Sequence, residues 1–387
     1  MRYTASALSA AIGTLFVSLG TAAPAAFAAD PYNTVSKENV EPQLQGSQYW
    51  TPERFKAAKP MTLPIARSAA VSEMVVQPDT RSVPQSSNAQ PPSAQVNVAP
   101  SLLYTPDASS LSSANAFEIE PQASGTFNTP FTSTRVFPMF TGSSAAYSAD
   151  RSFPYRAVGK LFFSINGAPY VCSASVIQRR VVATAGHCVH SGTSAGFHRN
   201  FVFVPAFRDG VAPFKQWNWR YVTTTGAWAG GGGGVPNAAD YAMIEFADQS
   251  MTAGGPLTKL GNVTGWLGWQ TLSLNGNHTS KLGYPCNLDN CQKMHNVAST
   301  AYRAVSPNNV EYGSDARGGS SGGPWVQNFE ELSVGGGTGN NTAPNRVVGI
   351  TSYGYTSTDP KVQGSSILDS RWVGLWNAIC ARAGNCN

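Results

Sequence analysis

From about residue 136 the chain alternates short runs of β-forming residues with turns rich in Gly, Pro and Asn. The runs include A-V-G-K-L-F-F-S-I, Y-V-C-S-A-S-V-I, R-V-V-A-T-A and N-F-V-F-V, and R-V-V-G-I-T-S follows at Arg346–Ser352. Branched and aromatic residues in runs this short, punctuated this often, fit the strands of a barrel or sandwich. One helical period occurs near the end, where Trp372, Leu375, Trp376 and Ile379 fall at i, i+3, i+4 and i+7. The expectation is an all-β domain over 136–387, closed by a terminal helix.

The preceding stretch has another texture. Residues 30–135 hold 13 of the 26 prolines and no cysteine, with Ser, Gln and Ala between them. Such a segment buries too little apolar surface to offset its ordering entropy, so 29–135 reads as a largely extended or disordered propeptide or linker. One island departs from this, Y-W-T-P-E-R-F-K-A-A-K-P from Tyr49 to Pro60. Thr51 is placed to cap a short helix with Pro52 at its first position, as a docking element of a propeptide would be.

Residues 1–28 carry one Arg, an Ala- and Leu-rich apolar stretch, and small residues at Ala26 and Ala28. That pattern is a secretory signal with cleavage after Ala28 or Ala29. No other run is apolar over a membrane's thickness, so a secreted protein with no membrane association after signal removal is expected. The net charge of +5 includes no run of Lys or Arg and no basic–aromatic stripe, which argues against nucleic-acid binding. All six cysteines lie between Cys172 and Cys386, an even count that implies disulfides in an exported chain. His187, Cys188 and His190 cluster, as do Cys286, Cys291 and His295, but neither group shows paired C-x-x-C spacing, so no metal site is expected.

The stretch D-A-R-G-G-S-S-G-G-P-W from Asp315 to Trp325 fits two chemistries. As G-x-S-x-G it is an esterase nucleophile elbow, where the histidine must follow the serine. All five histidines (His187, His190, His198, His278 and His295) precede Ser321, so that reading fails. The order His, Asp, Ser remains. V-A-T-A-G-H-C-V around His187 resembles the T-A-A-H-C motif of trypsin-like serine peptidases. N-A-A-D-Y-A-M-I-E-F around Asp240 is similar to their N-N-D-I-A-L-L segment, and G-S-S-G-G-P resembles their G-D-S-G-G-P. The three sites lie in order, 53 and 81 residues apart. Gly283-Tyr284-Pro285 resembles a strand end of the bacterial glutamyl-endopeptidase-like branch.

The resemblance implies two six-stranded antiparallel β-barrels of chymotrypsin-like fold, with the catalytic groups between them. His187 would be general base and then acid, Asp240 would orient it, and Ser321 would attack. Backbone N–H groups of Gly319 and Ser321 would form the oxyanion hole. Polypeptide substrates, a monomer and no cofactor are implied. Cys172–Cys188 would tie the His187 turn to a neighbouring strand, while Cys286–Cys291 and Cys380–Cys386 would staple local loops, among the 15 pairings six cysteines allow.

Asp315, six residues before Ser321, matches the base of the specificity pocket in members that cut after Arg or Lys. Gly354 and Gly364 match its wall glycines, and Ser352-Tyr353-Gly354 matches the strand that pairs with substrate. Thr351 stands where glutamate-specific relatives carry histidine. Two residues depart from the pattern. Arg317 replaces a bracing cysteine, and a structural Asp315–Arg317 pair is the alternative reading of Asp315. Ser320 replaces the aspartate that receives a new N-terminal ammonium on activation, so activation should depend on displacing the proline-rich segment. Arg135-Val136 and Arg151-Ser152 are candidate cleavage points. The rivals are a peptidase of other specificity and a catalytically idle binding protein on the same fold.

Overall fold

The computed structural model describes residues 33–40, 49–64, 83–94, 99–107, 129–136, 148–329, 343–355 and 361–387. Residues 1–28, expected to be a signal peptide, and the expected cleavage point lie outside them. The described residues all fall in one compact unit, Pro31–Asn387.

Six strands form the first sheet: Val158–Ile165 (β1), Ala168–Val176 (β2), Val181–Thr184 (β3), Arg199–Pro205 (β4), Trp217–Thr225 (β5) and Ala242–Phe246 (β6). They pair antiparallel in the order β5-β6-β3-β2-β1-β4, and β4 pairs back to β5, so the sheet closes into a barrel. Phe162, Phe163, Phe201, Phe203 and Trp217 are fully buried. Closure pairs most of the strand edges within the barrel and leaves only stretches of β5 and β2 open.

The second sheet uses Gly268–Gln270 (β7), His278–Gly283 (β8), His295–Val305 (β9), Asn309–Gly313 (β10), Pro324–Gln327 (β11), Arg346–Ile350 (β12), Tyr353–Gly354 (β13) and Val362–Ser366 (β14). Its path runs β13-β14-β10-β9-β8-β11-β12-β7, with β7 and β12 parallel. It is thus a longer path than six strands, built around Leu274, Tyr312, Trp325 and Val348. The terminal helix, Ser370–Cys380, is capped by Asp369 and buries Trp372, Leu375 and Ile379. The fold is chymotrypsin-like and all-β. All three expected disulfides are present: Cys172–Cys188, Cys286–Cys291 and Cys380–Cys386.

The described parts of the proline-rich segment are extended, and they lie on the two sheets. Thr34–Glu38 pairs with β5, Lys59–Pro60 with β2, Ser86–Ser87 with β7, and Phe131–Arg135 with β9. The helix Pro52–Ala57 forms as expected, with Thr51 Oγ1 accepting from Arg54 N at 3.4 Å. Trp50 and Phe55 join the main core, their rings 4.7 Å apart and set edge-on against Phe162. A segment poor in apolar residues cannot fold alone, but strand edges and a few aromatic anchors on a formed domain supply what it lacks. The Arg135–Val136 bond sits within this arrangement, with Arg135 paired to Asp289 and buried Val136 donating its N–H to Met294 O.

Candidate active site

His187 lies in a 3-10 turn, Gly186–Cys188, directly after β3, and Cys188 bonds that turn to β2 through Cys172. Asp240 precedes β6 and is fully buried. Its Oδ2 meets His187 Nδ1 at 2.8 Å, and its Oδ1 accepts the His187 backbone N–H at 2.8 Å. Oδ2 also accepts from Ser352 Oγ at 2.6 Å. One carboxylate therefore fixes both the ring and the backbone of the histidine. With Nδ1 engaged as donor, Nε2 is left as the basic nitrogen.

The turn tolerates nothing larger than glycine before His187. A Cβ at Gly186 would come 2.7 Å from Trp228 Cγ and 2.9 Å from Asp240 Oδ1. Gly186→Ala is expected to destabilise the fold by about 1–3 kcal/mol. Both Tm and kcat should fall, because the displaced atoms hold the histidine.

His198 supports the turn from behind. Its Nε2 donates to His187 O at 3.1 Å, its ring stacks on Phe163, and burial pushes its pKa down to about 4. An unfolded chain protonates this imidazole near its ordinary value of 6.5, whereas the fold resists until about 4. The unfolded state thus binds more protons across that window, and stability falls as pH drops through it. Thermal denaturation from pH 7 to 4 should show a shallower loss of Tm in His198→Gln than in the parent chain. Equal slopes would assign the acid sensitivity to other groups.

Ser321 stands in the loop between β10 and β11, in the second sheet. That loop is tied to the first barrel through one residue, since Ser173 N donates to Ser321 O at 2.7 Å and Ser173 Oγ to Gly319 O at 2.8 Å. Glycines are required here. Gly322 has φ +79°, and a Cβ on it would sit 2.0 Å from Thr184 Oγ1; one on Gly319, at φ +92°, would sit 2.5 Å from Tyr284 O. Gly318 O accepts from Cys286 N and Ser320 O from Gly323 N. In a trans peptide N–H points opposite to C=O, so the N–H groups of Gly319 and Ser321 are turned away from those partners. Among the described residues, neither Ser321 Oγ nor His187 Nε2 has a hydrogen-bond partner, and both are buried.

Ser320 is occupied differently. Its Oγ donates to Arg317 O at 2.6 Å and accepts from Gln363 Nε2 at 2.9 Å, while Gln363 Oε1 accepts from Ser314 Oγ. A neutral chain of hydrogen bonds stands where the resembling peptidases place an aspartate–ammonium pair. Nothing in it waits for a new N-terminus.

The expected specificity residues are placed unevenly. Asp315 Oδ1 is buried without a hydrogen-bond partner among the described residues. The space beside Gly364 is filled by the ring of Tyr353, whose Cζ lies 2.0 Å from where a Cβ would stand, so this glycine makes room for Tyr353 and not for a substrate side chain. Tyr353 is fully buried, and its hydroxyl donates to Glu311. Gly354 borders Leu63 of the proline-rich segment instead. Sequence reasoning also passed over Lys281, a buried ammonium that donates to Ser299 Oγ and to Gly313 O two residues before Asp315. Burial drives its pKa well down, against the opposing pull of Asp315. A lysine in an alternating strand carries no signal of its burial. Ser173, Gln363 and the Asp240-bound hydroxyl of Ser352 were equally silent.

A serine in a glycine loop of one sheet and a hydrogen-bonded His–Asp pair on the other form a layout that resembles the site of chymotrypsin-fold serine peptidases. No family profile matches the chain. It is similar to the glutamyl endopeptidase of Bacillus licheniformis, 28% identical over 180 residues, 45% of this chain and 49% of that protein. A protein of Bacillus subtilis named extracellular metalloprotease is 25% identical over 189 residues, 48% of this chain and 55% of that one. The chain thus spans about half the length of these curated relatives. Among solved structures, the thermostable serine protease AL20 from an extremophilic microorganism is 30% identical with a TM-score of 0.49, over 58% of this chain and 97% of that one.

Proposed function

We propose that the chain is a secreted, monomeric serine endopeptidase that cleaves polypeptides through His187, Asp240 and Ser321. Ser321 Oγ attacks the scissile carbonyl while His187 Nε2 takes its proton. Asp240 holds Nδ1–H and stabilises the imidazolium. The N–H groups of Gly319 and Ser321 receive the developing oxyanion, and His187 then protonates the leaving amine before water releases the acyl group. The observation that carries this reading is the buried Asp240 carboxylate bonded at once to His187 Nδ1, His187 N and Ser352 Oγ.

Asp315, with its buried unpartnered Oδ1, supports cleavage after Arg or Lys. A second reading is another cleavage specificity, favoured by the ring of Tyr353, which fills the space beside Gly364 where a pocket wall was expected. Matched peptides ending in Arg, Lys, Glu, Phe or Ala before a reporter separate the two, with fluorophosphonate labelling run alongside. Neither hydrolysis nor labelling by the secreted protein, even after trimming to about residue 136, would overturn the peptidase reading in favour of a binding protein. Intact mass of the secreted chain locates its N-terminus and tests the removal of residues 1–28.

A further inference from the structure

We propose that residues Lys59–Pro64 are an internal inhibitor that crosses the substrate cleft in the direction opposite to a substrate; this rests on the peptidase reading above. Lys59 and Pro60 pair in parallel with Tyr170 and Val171 of β2, and Met61 N donates to Val171 O at 2.8 Å. Three residues on, Pro64 O accepts from Gly354 N at 3.3 Å. Between these points the backbone passes over the serine loop, where a Cβ on Gly318 would meet Met61 O at 3.2 Å and Pro60 Cβ at 3.4 Å. Leu63 is buried over Gly354, 3.5 Å from where a Cβ would stand. The strip therefore bridges the Cys172 edge of the first barrel and the Gly354 edge of the second sheet.

By the resemblance, a substrate would lay its acyl half along Ser352–Gly354; its leaving half would then lie on the His187 side of Ser321, where the Cys172–Cys188 bond brings Val171 of β2. Its chain runs from Gly354 towards Val171. The strip runs from Val171 towards Gly354. Reversal exchanges the carbonyl and amide sides of every bond, so a carbonyl presented to Ser321 would have its leaving nitrogen on the acyl side, away from the position where His187 delivers a proton. The strip blocks the site without being cut. Two prolines, Pro60 and Pro64, restrict it in advance and lower the entropy lost on docking. Its upstream anchor is the Trp50–Phe55 pair, with Trp50 Nε1 donating to Asn200 O at 2.7 Å.

The test compares fluorophosphonate labelling of Ser321 in the uncut full chain, verified by intact mass, with labelling of the full-length Trp50→Ala/Phe55→Ala and Leu63→Asp variants. The uncut chain should label about 100-fold more slowly than either variant, the open state then being on the order of 1% populated. A synthetic peptide of residues 49–64, added to whichever variant folds, should restore inhibition competitively and be recovered uncleaved by mass spectrometry. Equal labelling rates in all forms, or cleavage of the peptide between residues 61 and 64, would overturn the reversed inhibitor while leaving the peptidase intact. If no form labels or hydrolyses peptides even after trimming to about residue 136, the peptidase reading fails and the inhibitor with it.

Discussion

Ser321→Ala is expected to lower kcat on a matched peptide by about 10^6-fold, the loss seen when a serine nucleophile acting as part of a triad is removed. The residual rate should remain above that of uncatalysed hydrolysis, since the backbone N–H groups of Gly319 and residue 321 persist in the variant. Ser320→Ala is the informative control. Its hydroxyl is committed to Arg317 O and Gln363 Nε2, so its loss disturbs the loop's support without removing an attacking group. A net loss of about 1 kcal/mol for such a bond predicts roughly a fivefold effect or less. Single-turnover rates on the Leu63→Asp background separate chemistry from release of the inhibitory strip. If Ser320→Ala were the silent enzyme and Ser321→Ala the active one, the nucleophile would have to be reassigned.

Asp240→Asn carries the second largest effect, a fall in kcat of about 10^4-fold with the fold preserved. The reason is the set of groups around this carboxylate. It accepts from His187 N, from Ser352 Oγ and at His187 Nδ1, and an amide offers only one accepting oxygen for the three. Its NH2 must face at least one donor, and if that is Nδ1 the ring adopts the tautomer with Nε2–H, unable to take a proton from Ser321. Ser352→Ala removes only one of the three bonds and should cost about tenfold or less. NMR of the imidazole protons reads the tautomer directly. Asp240→Asn with unchanged Nδ1–H and a near-parental rate would refute the orienting role.

The comparison of these two carboxylate partners marks how far the sequence reaches. His187, Asp240 and Ser321 were nominated because each sits in a short motif, and their order alone removed the esterase reading. Gly186 was legible only as a small residue; why it must be small depends on Trp228 and Asp240, which are remote in the chain. Gly364 shows the same limit. Its motif fits a pocket wall, but the ring of Tyr353 occupies the space that the missing side chain leaves.

The proline-rich segment divides the same way. Thr51, Pro52 and the aromatic residues around them announced a helix that docks, since capping and φ preference are local. The composition of the surrounding residues announced an extended chain. Neither could say that Lys59–Pro64 lies across the serine loop, or in which direction, because that follows from which strand edges the folded domain leaves open.

Taken by itself, the sequence determined the all-β character, the terminal helix, an even set of cysteines whose pairing stayed open, and the candidate nucleophile, base and acid. These follow from strand propensity, turn residues and motifs a few residues long. Only the tertiary structure decided that Ser352 completes the shell of Asp240 across 112 residues, that Ser173 holds the serine loop across 146, that Gln363 bonds Ser320, and that the chain's own proline-rich strip runs from Val171 to Gly354. Such contacts join groups far apart in the chain, and a hydrogen bond between distant segments leaves no periodicity in either of them.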